Sequence, residues 1–399
     1  ADLLEKIQNA AGGIDGIQHM IVLGGEDRGK QVDFYGLVEN NPPLQETADL
    51  DADDVALMIY TSGTTGRPKG VMLSHNNLYQ NARAAWEANE SAKAEITLVC
   101  LPLAHSFGVV VMNAGNLSPY KESFAVLMRW FDPEEVFRLI EKYGVTQFIG
   151  VPTMYQIMVN HPAGDTFDTS SLERCTISAA PVTEELYRKF TTKFNCKMYE
   201  AYGLTEASPS VAFCRPSMPI KKGSTGIPIP GVEVKIFDIK DKELPAGEQG
   251  EIVVRGPNVM LGYYKNPEET AAALRGGWLH TGDAGYLDEE GYLFITDRYK
   301  DMIIKGGYNI YPSEIEGYLE AHPAVGEVAV IGIPDEKYGE DIMAFVVRMP
   351  GQDLSEAELI EFAKSRMTAY KAPSRVQLID GLPKSLVGKV LKKELRKFV

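Results

Sequence analysis

The chain has little that would tie it to a membrane, an oxidising compartment or a nucleic acid. Only four of its 399 residues are cysteine: Cys100, Cys175, Cys196 and Cys214. None forms a C-x-x-C pair and each lies in or beside an apolar stretch. The spacing therefore predicts isolated thiols in a reducing compartment, with no disulfide and no zinc site. No apolar run is long enough to cross a bilayer, and the N-terminus lacks the basic-then-apolar pattern of a secretory leader. A cytoplasmic location without a transmembrane segment is expected. Positive charge is scarce, 40 Lys and Arg against 55 Asp and Glu, for a net charge of −15. That balance argues against nucleic acid as a partner and leaves any anion site dependent on local donors and lysines. Internal repeats and low-complexity tracts are absent as well.

At 399 residues the chain exceeds the size at which a single core stops growing, so more than one domain is expected. The pattern alternates strand and helix, which predicts an α/β architecture. Strands are predicted at 55–60, 71–73, 96–101, 145–150 and 197–202, the last leading into a turn at Gly203. Ser74 is placed to cap a helix through residue 88. Asp132 with Pro133 starts another that Gly144 ends, and Thr183 caps a third that opens with Glu184 and Glu185. From about Gly231 short alternating strands (233–238, 250–256, 291–297) replace this pattern and predict an antiparallel sheet or small barrel. After Asp297 a compact βαβ-like tail follows, with helices at 312–321 and 355–367, strands at 325–334 and 342–349, and a last basic helix. Asp297, Arg298, Lys300 and Asp301 are too densely charged for a core strand. The boundary is placed there, giving a large α/β domain over 1–298, with a β-rich subdomain at about 231–297, and a small α+β domain over 299–399 joined by a hinge.

One segment carries chemistry. Tyr60–Gly70, YTSGTTGRPKG, combines three glycines with Thr61, Ser62, Thr64 and Thr65 hydroxyls and the Lys69 ammonium. Glycines at 63, 66 and 70 let the backbone turn tightly and present N–H groups, a cradle that suits a polyphosphate. A Walker A loop needs G-x-x-x-x-G-K-[ST]. Here Lys69 follows Pro68, precedes Gly70 and opens no helix, so the kinase and GTPase readings lose ground. On composition alone, the same residues also fit an ordinary surface turn between two strands.

The order of residues in this loop resembles the signature of the adenylate-forming superfamily, which includes acyl-CoA synthetases, luciferases and peptide-synthetase adenylation domains. AYGLTE (201–206), WLHTGD (278–283), DRYKDMIIKGGYNIYPSEIE (297–316) and LPKSLVGKV (382–390) resemble further family motifs in the family's order. The likeness runs from about residue 55 to the C-terminus. In relatives a long part of the large domain precedes the phosphate loop, whereas this chain reaches it at Thr61 and begins with Ala1, so an N-terminally truncated chain is expected.

The resemblance implies ATP, Mg²⁺ and coenzyme A as the small molecules handled. For the nucleotide it implies the loop Thr61, Ser62, Gly63, Thr64, Thr65, Gly66 and Lys69 at the β- and γ-phosphates, and Thr205 at the α-phosphate. Glu206 would be the metal ligand. Adenine would lie between Ser178, Ala179, Ala180 and Pro181 on one side and Ala201, Tyr202 and Gly203 on the other, with Asp283 and Arg298 at the ribose. Lys389 corresponds to the family's catalytic lysine, Lys300 to its hinge residue, and Gly306 and Gly307 to its thioester-forming motif. On local grounds alone Lys389 is one of several lysines on a solvated basic face, and only the family pattern sets it apart.

His105, Phe107, Gly108, Val151 and Ala207 fall where relatives line the acid tunnel. Being mostly apolar or small, they suit an apolar acid better than an amino acid, and no acidic residue stands out to hold a substrate ammonium. His105 reads as a wall residue, since a carboxylate nucleophile needs no deprotonation at neutral pH. The resulting expectation is an ATP-dependent acyl-CoA synthetase acting on a fatty or aromatic carboxylic acid in fatty acid metabolism, with homodimer formation left open. The alternatives are a ligase that loads a carrier-protein thiol and a non-catalytic nucleotide-binding homologue.

Overall fold

A computed structural model describes residues 2–12, 14, 16–23, 31–44, 46, 48–61, 68–180, 182–384 and 390–399, the side chains of residues 2, 3, 12, 300 and 309 excepted. Residues 1–51 and 52–399 form two separate units. In the first, the helix Asp2–Gly12 precedes a parallel pair, Met20–Val22 with Gln31–Asp33. The Asp33 carboxylate accepts from Gly36 N at 2.7 Å and caps the helix Phe34–Asn40.

Among the described residues the second unit holds four sheets. The largest has seven strands. Five are parallel, in the order Phe124–Leu127, Ile96–Val99, Gln147–Gly150, Arg174–Ile177, Lys197–Gly203. Ser210–Phe213 and Ile227–Pro228 extend it antiparallel. Helices Pro133–Tyr143, Pro152–Asn160 and Glu184–Phe194 pack on this sheet. Phe137, Phe148, Tyr155, Phe190 and Met198 are fully buried among them, each side chain contributing about 1.5–3 kcal/mol. Tyr155 is buried whole because its hydroxyl donates to Thr176 O at 2.8 Å, with Phe148 O 3.1 Å away sharing the same proton.

Local chemistry sets the helix ends. Asp132 Oδ1 accepts from Glu135 N at 2.8 Å, Pro133 opens the first turn, and Gly144 ends the helix at φ +61°. Ser74 caps His75–Asn89 in a reciprocal box with Asn77. From that helix buried Asn77 donates to the carbonyls of Pro257 and Val259, and Asn81 to those of Ala207 and Ser210. These bonds fix the segment around residue 206 against the helix.

The β-rich region is an open four-stranded antiparallel sheet, Glu233–Phe237, Gly250–Arg255, Leu279–Leu287, Leu293–Arg298, and not a closed barrel. HTGD lies within the strand Leu279–Leu287, where the pairing slips between Glu251–Ala284 and Val253–His280 and leaves a bulge at 281–283. The strand ends within the charged run: Asp297 and Arg298 pair with Ala284 and Asp283, and Lys300 and Asp301 fall in the 3-10 turn that follows.

The C-terminal region holds a five-stranded sheet dominated by the antiparallel pair Val325–Asp335 and Gly339–Arg348. Its βαβ element is Gly339–Arg348, helix Glu356–Arg366 and the parallel strand Arg375–Leu378. The last basic helix shrinks to Lys392–Leu395 followed by a 3-10 turn. Leu395 is its one buried anchor, and its cations pair singly, Lys392 with Glu316 and Arg396 with Asp301. Among the described residues no helix is long and apolar enough to cross a membrane.

Candidate active site

The carboxyl ends of the parallel strands open on one edge of the large sheet, where α/β proteins bind ligands. After Ile96–Val99 the chain turns through Leu101–His105 into the helix Ser106–Asn116. After Arg174–Ile177 come Ser178–Ala180, and Lys197–Gly203 is followed by Leu204 and the 3-10 turn Thr205–Ala207. Two hydrogen bonds tie these ends together. Ser106 Oγ lies 3.1 Å from Thr205 Oγ1, both buried, and Ser178 Oγ donates to Ala201 O at 2.7 Å. Ala179 adopts φ +76°, so the backbone turns sharply beside Ala201. Gly203 is required for close approach: a Cβ there would lie 2.3 Å from Pro209 O.

The bulge of the β-rich sheet meets this edge. Tyr202 OH donates to Asp283 Oδ2 at 2.6 Å, and Arg298 Nη1 lies 3.0 Å from Asp283 Oδ1. The register that pairs Asp283 with Arg298 on adjacent strands makes the second contact. Burial, with the Asp283 charge beside it, pushes the Tyr202 phenol well above its usual pKa, so it remains a donor.

Thr61 and Lys69 are opposite one another at the open end of the antiparallel pair Val55–Thr61 and Lys69–Ser74, so the phosphate-type loop is the connection of this hairpin. Its residues Ser62, Gly63, Thr64, Thr65 and Gly66 lie outside the described residues, as do Pro181 and Lys389. Lys69 is 9% exposed and pairs with Glu269, with its ammonium 5.0 Å from the centre of the Tyr263 ring. Tyr263 OH in turn donates to Glu206 Oε1 at 3.0 Å. Burial first, then the Glu206 charge, raises the Tyr263 pKa and keeps that proton in place. Glu206, half-buried and next to Thr205 in the 3-10 turn, offers one carboxylate, which with phosphate oxygens and waters suffices for a Mg²⁺ shell. The donor set fits that ion.

The acid-tunnel candidates divide. Phe107 and Val151 pack together on Val99, Leu101 and Ile149, an apolar patch beneath the edge. His105 caps the helix Ser106–Asn116 through Nδ1, which accepts from Phe107 N at 3.2 Å; desolvation by the protein around its ring lowers its pKa. Gly108 lets that helix press on the backbone, since a Cβ would lie 2.5 Å from Pro102 O. Ala207 is fully buried among Val71, Val211 and Ala212.

In the C-terminal region Gly306 (φ +59°) and Gly307 (φ +86°) form the two-residue turn joining Ile303–Lys305 to Tyr308–Ile310, a geometry that favours glycine at both positions. Lys300 falls in the 3-10 turn Tyr299–Asp301, its side chain outside the described set. Ser313 bonds back to the strand before it, N to Asp297 Oδ2 and Oγ to Thr296 O, both at 2.8 Å.

Sequence reasoning missed Ser106, Tyr263, Glu269 and Glu251. Asn266-Pro267-Glu268-Glu269 is a readable helix start, confirmed by the Asn266 cap, but nothing local links it to Lys69. Asp241, Glu251 and His280 bring ligand atoms within 4.8 Å of one another. Arg275 already sits in that set, on Asp241 (2.8 Å) and Glu251 (3.3 Å).

A phosphate-type hairpin, the carboxyl edge of a parallel sheet and an acidic bulge together define a nucleotide-handling α/β protein. The chain belongs to the AMP-binding enzyme family: that family's model matches residues 1–264, and the model of the AMP-binding enzyme C-terminal domain matches 314–389. It is 43% identical over 346 residues to a long-chain-fatty-acid–CoA ligase of Bacillus subtilis, covering 86% of this chain and 61% of that protein. To a feruloyl-CoA synthase of Amycolatopsis sp. it is 41% identical over the same length, 86% of this chain and 70% of that one. The crystal structure of ATP-bound MatB from Rhodopseudomonas palustris superimposes with a TM-score of 0.79 at 35% identity, over 88% of this chain and 69% of its own.

Proposed function

We propose that the chain acts as an acyl-CoA synthetase, activating a fatty or aromatic carboxylic acid with ATP to an acyl-adenylate and pyrophosphate and then passing the acyl group to coenzyme A. The observation that carries this reading is the hydrogen-bonded set at the sheet edge, Ser106–Thr205 beside Tyr202–Asp283–Arg298. The relatives support it: their names pair CoA with an aliphatic acid in one case and an aromatic acid in the other.

In this reading adenine lies between Ser178–Pro181 and Tyr202, the ribose hydroxyls donate to Asp283, and Arg298 donates to the same sugar. The Thr61–Lys69 hairpin holds the β- and γ-phosphates and Thr205 donates to the α-phosphate. Glu206 is the residue to hold Mg²⁺, which when bound neutralises charge between phosphates. A carboxylate oxygen of the acid forms the new bond to the α-phosphorus as the bond to pyrophosphate breaks. Two anions meet in that step, so cations and N–H donors must offset their repulsion. Lys389 is the cation assigned to the substrate carboxylate and α-phosphate. A thiol then attacks the acyl carbon and AMP leaves, with Gly306 and Gly307 admitting the pantetheine arm where a Cβ would obstruct it. One pivot near Lys300, between a domain ending at 298 and one starting at 299, would exchange Lys389 for this turn between the two steps. Phe107 and Val151 offer the apolar surface for the acid.

Acid-dependent pyrophosphate exchange over a panel of fatty and aromatic acids, with and without CoA, followed by detection of the thioester, tests the proposal. Exchange with a thioester formed only on a carrier protein would reassign the acceptor. ATP binding without acid-dependent pyrophosphate release would identify a non-catalytic homologue.

A further inference from the structure

We propose that Glu251 is a positioning residue for the nucleotide, holding the bulge that presents Asp283 to the ribose; this rests on the reading of Asp283 as the ribose acceptor. Glu251 is 5% exposed in a strand whose neighbours Ile252, Val253 and Val254 are fully buried. A carboxylate in such a place is costly unless it is paired and its oxygens are bonded. Both of its oxygens bond to one feature. Oε1 accepts from Gly282 N at 3.1 Å, in the middle of the bulge, where the backbone takes φ +70°. Oε2 accepts from His280 Nδ1 at 2.9 Å, at the first residue of the slip, and faces Arg275 Nη2 at 3.3 Å.

Arg275 is itself clamped by Asp241, through Nε at 3.0 Å and Nη2 at 2.8 Å. The guanidinium takes the place a cation would need, so the cluster is a brace and not a metal site. Thr281 completes it, donating to Ile252 O at 2.7 Å and accepting from Asp283 N at 3.0 Å. Residues 280, 281 and 282 are thus each held, and the next residue is Asp283. Its two oxygens meet Tyr202 and Arg298, on different strands, only while the bulge keeps its shape. Removing Glu251 would leave the Gly282 N–H without its acceptor and free the bulge to relax into regular pairing, which would turn Asp283 away.

Titration calorimetry of the whole chain with ATP and with 2′,3′-dideoxy-ATP, which lacks both hydroxyls, tests this. Glu251→Gln puts an amide against His280 and Arg275; Glu251→Asp keeps the charge but withdraws it from Gly282, and serves if the first variant fails to fold. The expected result is a Kd for ATP raised roughly 10–100-fold in both, a Kd for 2′,3′-dideoxy-ATP little changed, and a far-ultraviolet spectrum like that of the wild type. Equal weakening of both nucleotides would show a merely structural role and overturn the proposal. Asp283→Asn is the reference: if it discriminates between the nucleotides as the wild type does, the ribose reading falls and this proposal with it. If Asp283→Asn loses the discrimination while both Glu251 variants keep it, the positioning role alone falls.

Discussion

Glu200 gives the sharpest quantitative test of how this fold treats charge. It lies in the strand Lys197–Gly203, half-buried, and burial lifts its carboxyl pKa from 4.5 to about 7. Because the native value lies above the unfolded one, the folded chain binds the proton more tightly than the unfolded chain between those two values. The stability gained from holding that proton is full below about pH 4.5 and is lost as the pH rises towards 7, after which the loss is constant. At about 1.36 kcal/mol per unit the full loss is roughly 3 kcal/mol, and some access to solvent at the strand end reduces it to about 1–3 kcal/mol. Glu200→Gln is neutral at every pH and escapes the loss. Equilibrium urea unfolding of both proteins at pH 5 and pH 8 measures it, since titrations common to both cancel in the difference. The burial-raised groups that face it, Tyr187 and Cys214, titrate above this window; Cys214 is pushed up to about 12. The variant should gain about 1–2 kcal/mol on the wild type between the two pH values. A difference that stays flat across the range would refute the argument that burial holds this proton.

Lys389→Ala should suppress adenylate formation while leaving thioester formation from supplied adenylate largely intact; pyrophosphate exchange and thioester assays run separately would show equal loss of both if the role is wrong. Gly307→Leu, at φ +86°, should do the reverse. Tyr202→Phe removes the hydroxyl on Asp283 Oδ2 and should weaken ATP binding about fivefold, or about 1 kcal/mol, by calorimetry. Asn81→Leu takes the side-chain acceptor from Ser210 N and leaves Ala207 O and Ser210 O to Asn258 alone, and should cost about 1–3 kcal/mol, read as a lower urea midpoint.

Where local chemistry decides, the sequence was legible. Asp132-Pro133 and Gly144, Ser74 and Thr183 mark helix ends because their side chains or φ angles satisfy terminal backbone groups, whatever packs nearby. Where packing decides, it was not. The helix Ser106–Asn116 reads SFGVVVMNAGN, a run of valines and glycines with poor helix propensity, and it forms against the Pro102–Leu103 backbone. The edge strand Phe124–Leu127 is mostly exposed and has no alternation to betray it. The bulge at 281–283 hid in the same way, because HTGD carries the composition of a turn and only its partners Glu251 and Val253 make it part of a strand. The site shows the same divide. Motifs named Asp283, Arg298, Tyr202 and Thr205, but their pairing follows from register and loop approach. Glu269 reaches Lys69 across 200 residues of chain with no signal at either end.

That last pair has a consequence for salt. If the triphosphate takes Lys69, it does not fill a vacant positive site but exchanges one anion for another, releasing the Glu269 carboxylate to water. Mobile ions then screen the pair that is lost as well as the pair that is gained. Lys69's share of nucleotide affinity should therefore vary little with ionic strength, unlike that of a cation that starts out solvated.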